Sequence, residues 1–180
     1  MSGTELLLIE PLALGHAAAL VAALTGDEVG GIVGEFLGGG GDPTTVEAME
    51  ARITRVNAGP GRPGERWLNF VAITRRDATL VGRVEATSYG EWAEVAYLFD
   101  PRHWGHGYAT EAMQWLLGTL REHGVHDCWA AVHPDNARSQ RLLTRLGFEQ
   151  VLTATRRVQS FDDGDLLFRQ DRPSHPTTGR

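Results

Sequence analysis

Residues 104–112 read WGHGYATEA: two glycines around a histidine, then small residues that run into a helical pattern. Such a stretch has two readings. A tight turn needs backbone dihedrals that only glycine adopts freely. Alternatively, bare N–H groups at a helix N-terminus, with no side chain to screen them, form a seat for phosphate. A G-x-G run before a helix does not choose between the two, so the surrounding elements must decide. The sole cysteine, Cys128 in HDCWA, lies in a strand pattern with no obvious base set against it, and we read it as a small buried hydrophobe and not as an acyl-carrying nucleophile.

The elements that would position this loop are legible from periodicity and punctuation. TELLLIEPL reads as a strand ended by Pro11, and ALGHAAALVAALTGD as an alanine-rich helix. GGIVGEFLGGGGDP is dense in glycine and reads as a mobile loop. A second helix is expected from about Asp42–Thr44, with Pro43 in its first turn and Thr44 and Glu47 as a capping box, running to NAGPGRPG. RWLNFVAIT, TLVGRVEATSY and EWAEVAYLF are three strands whose joints are short enough only for antiparallel hairpins. GYATEAMQWLLGTLREHG is an amphipathic helix, with Ala109, Ala112, Met113, Leu116, Leu117 and Leu120 on one face and Gly124 ending it. A buried strand DCWAAVHP, a helix NARSQRLLTRL closed by Gly147, and a last hairpin of FEQVLTATRRVQ and DLLFRQ complete the order. That order, β-α-α-β-β-β-α-β-α-β-β, is a mixed α/β fold with helices covering a central sheet. Residues 1–170 are expected to form one domain and 171–180 a disordered tail.

Composition narrows the function classes. The 180 residues are 42% hydrophobic and 22% charged, ordinary for a soluble globular chain, and no run approaches a membrane span. The start MSGTELLLIEPL lacks a basic region and a long apolar run, so no signal peptide is expected. One cysteine allows neither an internal disulfide nor a cysteine metal cluster, which suits the cytoplasm; no metal site is expected. A net charge of −6 disfavours nucleic acid and favours a cationic or neutral substrate.

TELLLIEPL, VAYLFDPRHWGHGYATEAMQWLL, VHPDNARSQRLLTRLGFE and DGDLLF fall in the order and spacing of the GNAT N-acetyltransferases, and within them resemble the RimJ/RimL-type branch, over roughly residues 4–170. The glycine loop together with the N-x-x-S…LGF segment makes the resemblance specific. It implies a GNAT fold: a central mixed, mostly antiparallel sheet, splayed at an acetyl-CoA site and flanked by about four helices. It implies that WGHGYAT is the cofactor loop, with the pyrophosphate on the N–H groups of Gly105, His106, Gly107, Tyr108, Ala109 and Thr110 and the helix dipole adding attraction. Trp104 stands where the family commonly has Gln or Arg, and His106 where a fixed cation is common. Positive charge would then come from Arg102, His103, His106, Arg138 or Arg141. Leu98 and Phe99 would pair their backbone with the pantetheine amides, and Asn136 would hold the pantetheine arm. Trp129 and Val132 on the neighbouring strand are read as core.

The implied reaction is direct attack of a neutral amine on the acetyl carbonyl, which needs a proton acceptor, a donor to the carbonyl oxygen and an acid for the leaving thiolate. Most of the family uses a tyrosine seven residues after the asparagine; here that position is Leu143, which has no proton to give. Ser139 is the position this branch offers instead. Against these roles stand two local ones: Asn136 capping its helix, and Ser139 bonding back to the preceding turn. Glu94 is the first choice of base and Glu85 the reserve. Alternation sets Glu94, Ala96 and Leu98 on one face, and a bulge expected in this strand would break that parity. Glu111, in a helix first turn, is read as structural.

Two functions fit the resemblance: an acetyl-CoA-dependent amine N-acetyltransferase, and a non-catalytic acyl-CoA-binding regulatory or sensor module on the same scaffold. The acceptor side is expected at residues 25–45 and about 155–165. There Asp27, Glu28, Glu35, Asp42, Asp162, Asp163 and Asp165 face only Arg156 and Arg157, an acidic rim suited to a protein N-terminus, a polyamine or an aminoglycoside. A homodimer is left open.

Overall fold

The computed structural model describes residues 4–24 and 43–171. The glycine-dense loop, the acidic residues 27–42 and the tail from 172 lie outside the described residues. Among the described residues seven strands form one sheet in the order β1-β2-β3-β4-β5-β7-β6. Here β1 is Leu7–Pro11, β2 Arg66–Thr74, β3 Leu80–Ser88, β4 Trp92–Phe99, β5 Asp127–Val132, β6 Glu149–Val151 and β7 Leu166–Asp171. Only β4 and β5 run parallel; every other pair is antiparallel. The last two strands do not lie in sequence order, because β7 inserts between β5 and β6.

Among the described residues four α-helices cover the sheet: α1 (Ala17–Leu24), α2 (Val46–Ala58), α3 (Tyr108–Glu122) and α4 (Ala137–Arg145). On one face, Leu20, Leu24, Met49 and Ile53 from α1 and α2 bury against Val71 and Leu80. On the other, Ala112, Met113, Leu116, Leu117 and Leu120 of α3 bury against Val84, Ala86, Val95 and Phe99. The three- and four-residue spacing of the α3 set predicts that buried stripe. Its first member, Ala109, is only half-buried. None of the helices among the described residues is long and apolar enough to cross a membrane.

Local chemistry adjusts two expectations. The cap of α2 is Thr45, whose hydroxyl accepts from Ala48 N–H at 3.3 Å, one residue beyond the expected Thr44. Glu47 therefore sits too early in the turn to complete a capping box with it. The register of β3 with β4 runs unbroken from Gly82↔Phe99 to Ser88↔Ala93, so the bulge expected in β4 is absent. The irregularity lies instead between β2 and β3, at Ala72/Ile73. Glu94, Ala96 and Leu98 consequently keep one face.

Glu111 ties the sheet edge to α3. Its carboxylate accepts from Leu6 N–H at 2.9 Å and Leu7 N–H at 3.1 Å, which satisfies donors at the start of β1 while placing an anion at the helix N-terminus. Glu111→Ala is expected to cost about 1–2 kcal/mol of stability, read from the urea midpoint, because water can partly replace these bonds at a half-exposed site.

Candidate active site

The parallel pairing of β4 with β5 is short. It joins Trp92, Ala93 and Glu94 to Asp127, Cys128 and Trp129 and then stops. Beyond Glu94 the two strands part, and a cavity of about 540 Å³ opens between Val95–Phe99 and Ala130–His133. The starts of α3 and α4 close its other sides through Trp104, Gly105, Gly107, Tyr108, Ala109, Thr110, Asn136 and Ser139.

The split leaves backbone groups without a strand partner. Alternation points successive residues of β4 to opposite neighbours. Leu98 turns its carbonyl toward β3, where a Cβ on Gly82 would lie 2.5 Å from it. Tyr97 and Phe99 therefore present N–H and C=O to the gap, and the expected pairing role cannot include the main chain of Leu98. Phe99 C=O already accepts from Trp104 Nε1–H at 2.9 Å, which fixes the indole at the cavity wall.

At the head of α3, Gly107 is the N-cap with φ 83° and Gly105 has φ 85°, the left-handed region that side chains disfavour. Nothing stands within 4 Å of where a Cβ would project from either, so their surroundings are open. Conformation and bare backbone thus both call for glycine here. The first intrahelical bond runs from Glu111 N–H to Gly107 C=O, leaving the earlier N–H groups of the loop without helical acceptors. His106 does not line the cavity: it is exposed, its Nδ1 lies 3.2 Å from His103 C=O, and its ring stacks on Tyr108.

The cations sort differently from the expectation. Arg102 is held by Asp100 through Nε and Nη2 and also donates to Ala22 C=O, so it serves the fold and not the cavity. Arg138, Arg141 and Arg145 line the cavity, with the Arg138 guanidinium 4.3 Å from the centre of the Trp104 ring. Among the described residues no Asp or Glu lines it, although the chain carries 23 acidic against 17 basic residues. A cavity so lined, in an acidic protein, favours an anionic occupant.

Asp100 anchors the approach to the loop. Burial opposes its ionised form, but the side-chain and backbone hydrogen bonds and charge of Arg102, with His103, outweigh that and hold its carboxyl below the usual range. A depressed folded value means this stabilisation is present above the unfolded carboxylate pKa of about 3.9 and is lost as pH falls through the folded value. Asp100→Asn should cost about 2 kcal/mol at neutral pH, with the gap to the native protein closing as pH drops below about 4, read from thermal melts across pH.

Asn136 caps α4, its Oδ1 accepting from Ser139 N–H at 3.0 Å, and it also faces the cavity. The local capping role is therefore real, and the amide nitrogen remains for a ligand carbonyl. Ser139 does not bond back to its own turn. Its Oγ lies 2.6 Å from the hydroxyl of Tyr97 on β4. Leu143 is fully buried in hydrocarbon.

Glu94 sits at the last paired position before the split, in a second cavity of about 410 Å³ that also includes Arg62, Glu65, Trp67, Thr87 and Tyr89. Its Oε1 accepts from Gln159 N–H at 2.8 Å and Tyr89 O–H at 3.2 Å, and its Oε2 from Ser160 N–H at 3.0 Å. Ser160 lines both cavities and marks where they adjoin. Glu85 is unsuited to be a reserve base. Burial would raise its carboxyl, but the charges of Arg83 and Arg52 prevail and hold it below the ordinary value. Asp162, Asp163 and Asp165 line neither cavity, and Asp165 instead accepts from Asp162 N–H in its own turn. Burial pushes the Cys128 thiol up to about 12, which leaves it protonated and unreactive. Trp129 and Val132 are buried, and Val132 also borders the larger cavity.

Tyr97 and the cavity residues Arg145 and Ser160 carry no signal in the sequence. A tyrosine inside an apolar strand reads as core, and its partner is 42 residues away.

Comparison with known proteins agrees with this geometry. Residues 6–149 match the acetyltransferase (GNAT) domain family. The chain is 31% identical over 111 residues to the uncharacterised N-acetyltransferase YnaD of Bacillus subtilis, a match spanning 60% of this chain and 64% of that protein, just under two thirds of its length. YoaA of the same organism, an uncharacterised N-acetyltransferase, is 26% identical over 156 residues, 82% of this chain and 81% of that protein. In fold, the chain is similar to Mycobacterium smegmatis RimJ in complex with CoA-disulfide, with a TM-score of 0.75 at 21% identity over 93% of this chain and 86% of that one. It is also similar to the Salmonella typhimurium acetyl transferase that modifies the N-terminal serine of ribosomal protein L7/L12, with a TM-score of 0.73 at 13% identity over 94% and 96% of the two chains. With the family match extending over most of its length, on a mostly antiparallel sheet split beside a glycine-started helix, this chain belongs to the GNAT acetyltransferase family.

Proposed function

We propose that this protein transfers an acetyl group from acetyl-CoA directly to a primary amine, without a covalent enzyme intermediate, as a member of the RimJ/RimL-type branch. One observation carries the reading. The β4/β5 split joins a cavity lined by arginines, with no Asp or Glu among its described residues, to a second cavity holding Glu65 and Glu94, where Arg62 lies 3.7 Å from Glu65. The first suits an anionic acyl donor and the second a cationic acceptor.

Acetyl-CoA supplies the activated acetyl thioester. The N–H groups of residues 105–110 and Arg141 would hold its phosphates, Tyr97 and Phe99 its pantetheine through their main chains, and Asn136 the arm through its amide. Glu94 receives the proton of the incoming ammonium, directly or through a water, and its three hydrogen-bond donors fix the carboxylate in place. Ser139 directs its hydroxyl at the leaving sulfur. Cys128, buried and protonated, offers no alternative nucleophile. A reducing compartment such as the cytoplasm suits a single free thiol.

The acceptor class comes from an assay of thiol release with acetyl-CoA and a panel comprising a peptide with a free N-terminal serine, a polyamine and an aminoglycoside. The N-terminal serine peptide is included because the similar Salmonella protein modifies such a residue. We expect thiol release with at least one amine, matched by an acetylated product in the mass spectrum. Binding of acetyl-CoA without release from any amine would favour the non-catalytic acyl-CoA-binding module.

A further inference from the structure

We propose that Tyr97 is a positioning residue for the leaving-group step: its phenol donates to Ser139 Oγ and so turns the serine's own proton toward the thioester sulfur. This rests on the reading of the β4/β5 cavity as the acyl-CoA site.

Three observations converge on it. The two oxygens are 2.6 Å apart, a short hydroxyl–hydroxyl bond, and both residues line the cavity. The same phenol lies 3.4 Å from Ser139 C=O. Of the two hydroxyls the phenol is the stronger acid and the aliphatic alcohol the better acceptor, so the proton at the shorter contact is assigned to the phenol, with the carbonyl at 3.4 Å only a weak second acceptor for it. A serine hydroxyl has one proton and two acceptor sites. With one acceptor site filled by Tyr97, the serine keeps its own proton to give, and among the described residues no hydrogen bond runs from its Oγ to a carbonyl of its own turn. Burial pushes the Tyr97 phenol up to about 12 despite the Ser139 bond, so it stays a donor through the whole neutral range.

A serine in a helix first turn otherwise gives its proton to a nearby backbone carbonyl. The phenol rises from the opposite side of the split, from β4, and holds the hydroxyl away from that alternative. Tyr97 touches neither the acetyl group nor the amine in this arrangement; it acts through Ser139. The contribution is modest, because a thiolate with a parent pKa of about 8.5 already leaves readily.

The test is a double-mutant cycle of Tyr97→Phe, Ser139→Ala and both together, read in two ways. The first is kcat with saturating acetyl-CoA. Tyr97→Phe should lower it about fivefold to tenfold with little change in KM for acetyl-CoA, Ser139→Ala about tenfold to thirtyfold, and the double variant no further than Ser139→Ala. The second is independent of turnover: the ultraviolet titration of the thiol of bound CoA. A hydroxyl donor favours the thiolate, so the bound thiol should titrate about half a unit to one unit higher in each variant than in the native protein, and equally in all three. Phe keeps the ring, and a thermal melt checks that the fold survives. If Tyr97→Phe lowers kcat by the same factor again in the Ser139→Ala background, or leaves the thiol titration unmoved, the proposal is overturned. Failure of CoA to bind the native protein would instead overturn the reading of the cavity, and this inference with it.

Discussion

Gly107→Glu is expected to weaken acetyl-CoA binding by at least about a hundredfold, measured by titration calorimetry on the folded variant. Two effects add. The native residue has φ 83°, so any side chain there strains the start of α3, at a cost of roughly 1–2 kcal/mol. The larger effect is electrostatic. The open space beyond Gly107 would receive a carboxylate where the loop N–H groups and helix dipole are arranged for an anion. Gly107→Ala separates the two, since it keeps the strain without the charge, and it should lose far less affinity. Equal losses in both variants would assign the effect to strain and remove the phosphate reading of the loop.

Glu94→Gln should lower turnover by about a hundredfold near neutral pH, within the range of general acid–base contributions. An amine acceptor is largely protonated there, and the carboxylate removes the proton that blocks attack. As pH rises toward the acceptor's own pKa, free amine arrives without help and the deficit should shrink. Recovery near pH 8 would mark an α-amine, and recovery only near pH 10 an alkyl amine. The substitution also carries a structural cost. One of the two glutamine positions must be an N–H₂, which would meet the N–H of Gln159 or Ser160 donor to donor. Loosening of that loop would reduce activity evenly across pH. A pH-independent loss would therefore make Glu94 a strap for residues 159–160, and full activity at all pH would remove it from the mechanism.

The strands, the helices and the identity of the glycine loop were legible because each rests on local signals. The α3 stripe repeats at helical spacing, the β2–β4 hairpins are bounded by turn residues, and Gly105 and Gly107 stand directly before an amphipathic run. What escaped depends on register and on distant partners. Whether Leu98 or Phe99 presents its main chain to the gap turns on a one-residue parity, and composition does not encode it. Glu94 was legible as a polar residue in an apolar strand. Its three donors come from Tyr89 and from backbone N–H groups 65 and 66 residues later, which no window of sequence contains. Tyr97 was invisible for the same reason: a tyrosine in a buried strand is ordinary until a serine is found against its hydroxyl. The phosphate-side cations were a set of arginines and histidines without ranking. Only the folded chain shows Asp100 holding Arg102 while Arg138, Arg141 and Arg145 remain at the cavity.

The most direct measurement is a crystal structure with CoA bound. The predicted result has the pyrophosphate on the N–H groups of residues 105–110, the pantetheine amides paired with Tyr97 and Phe99 in the β4/β5 split, and the sulfur within about 3.5 Å of Ser139 Oγ. CoA bound elsewhere on the molecule, or seated in the split with its sulfur turned away from Ser139 and from the Glu94 cavity, would contradict it.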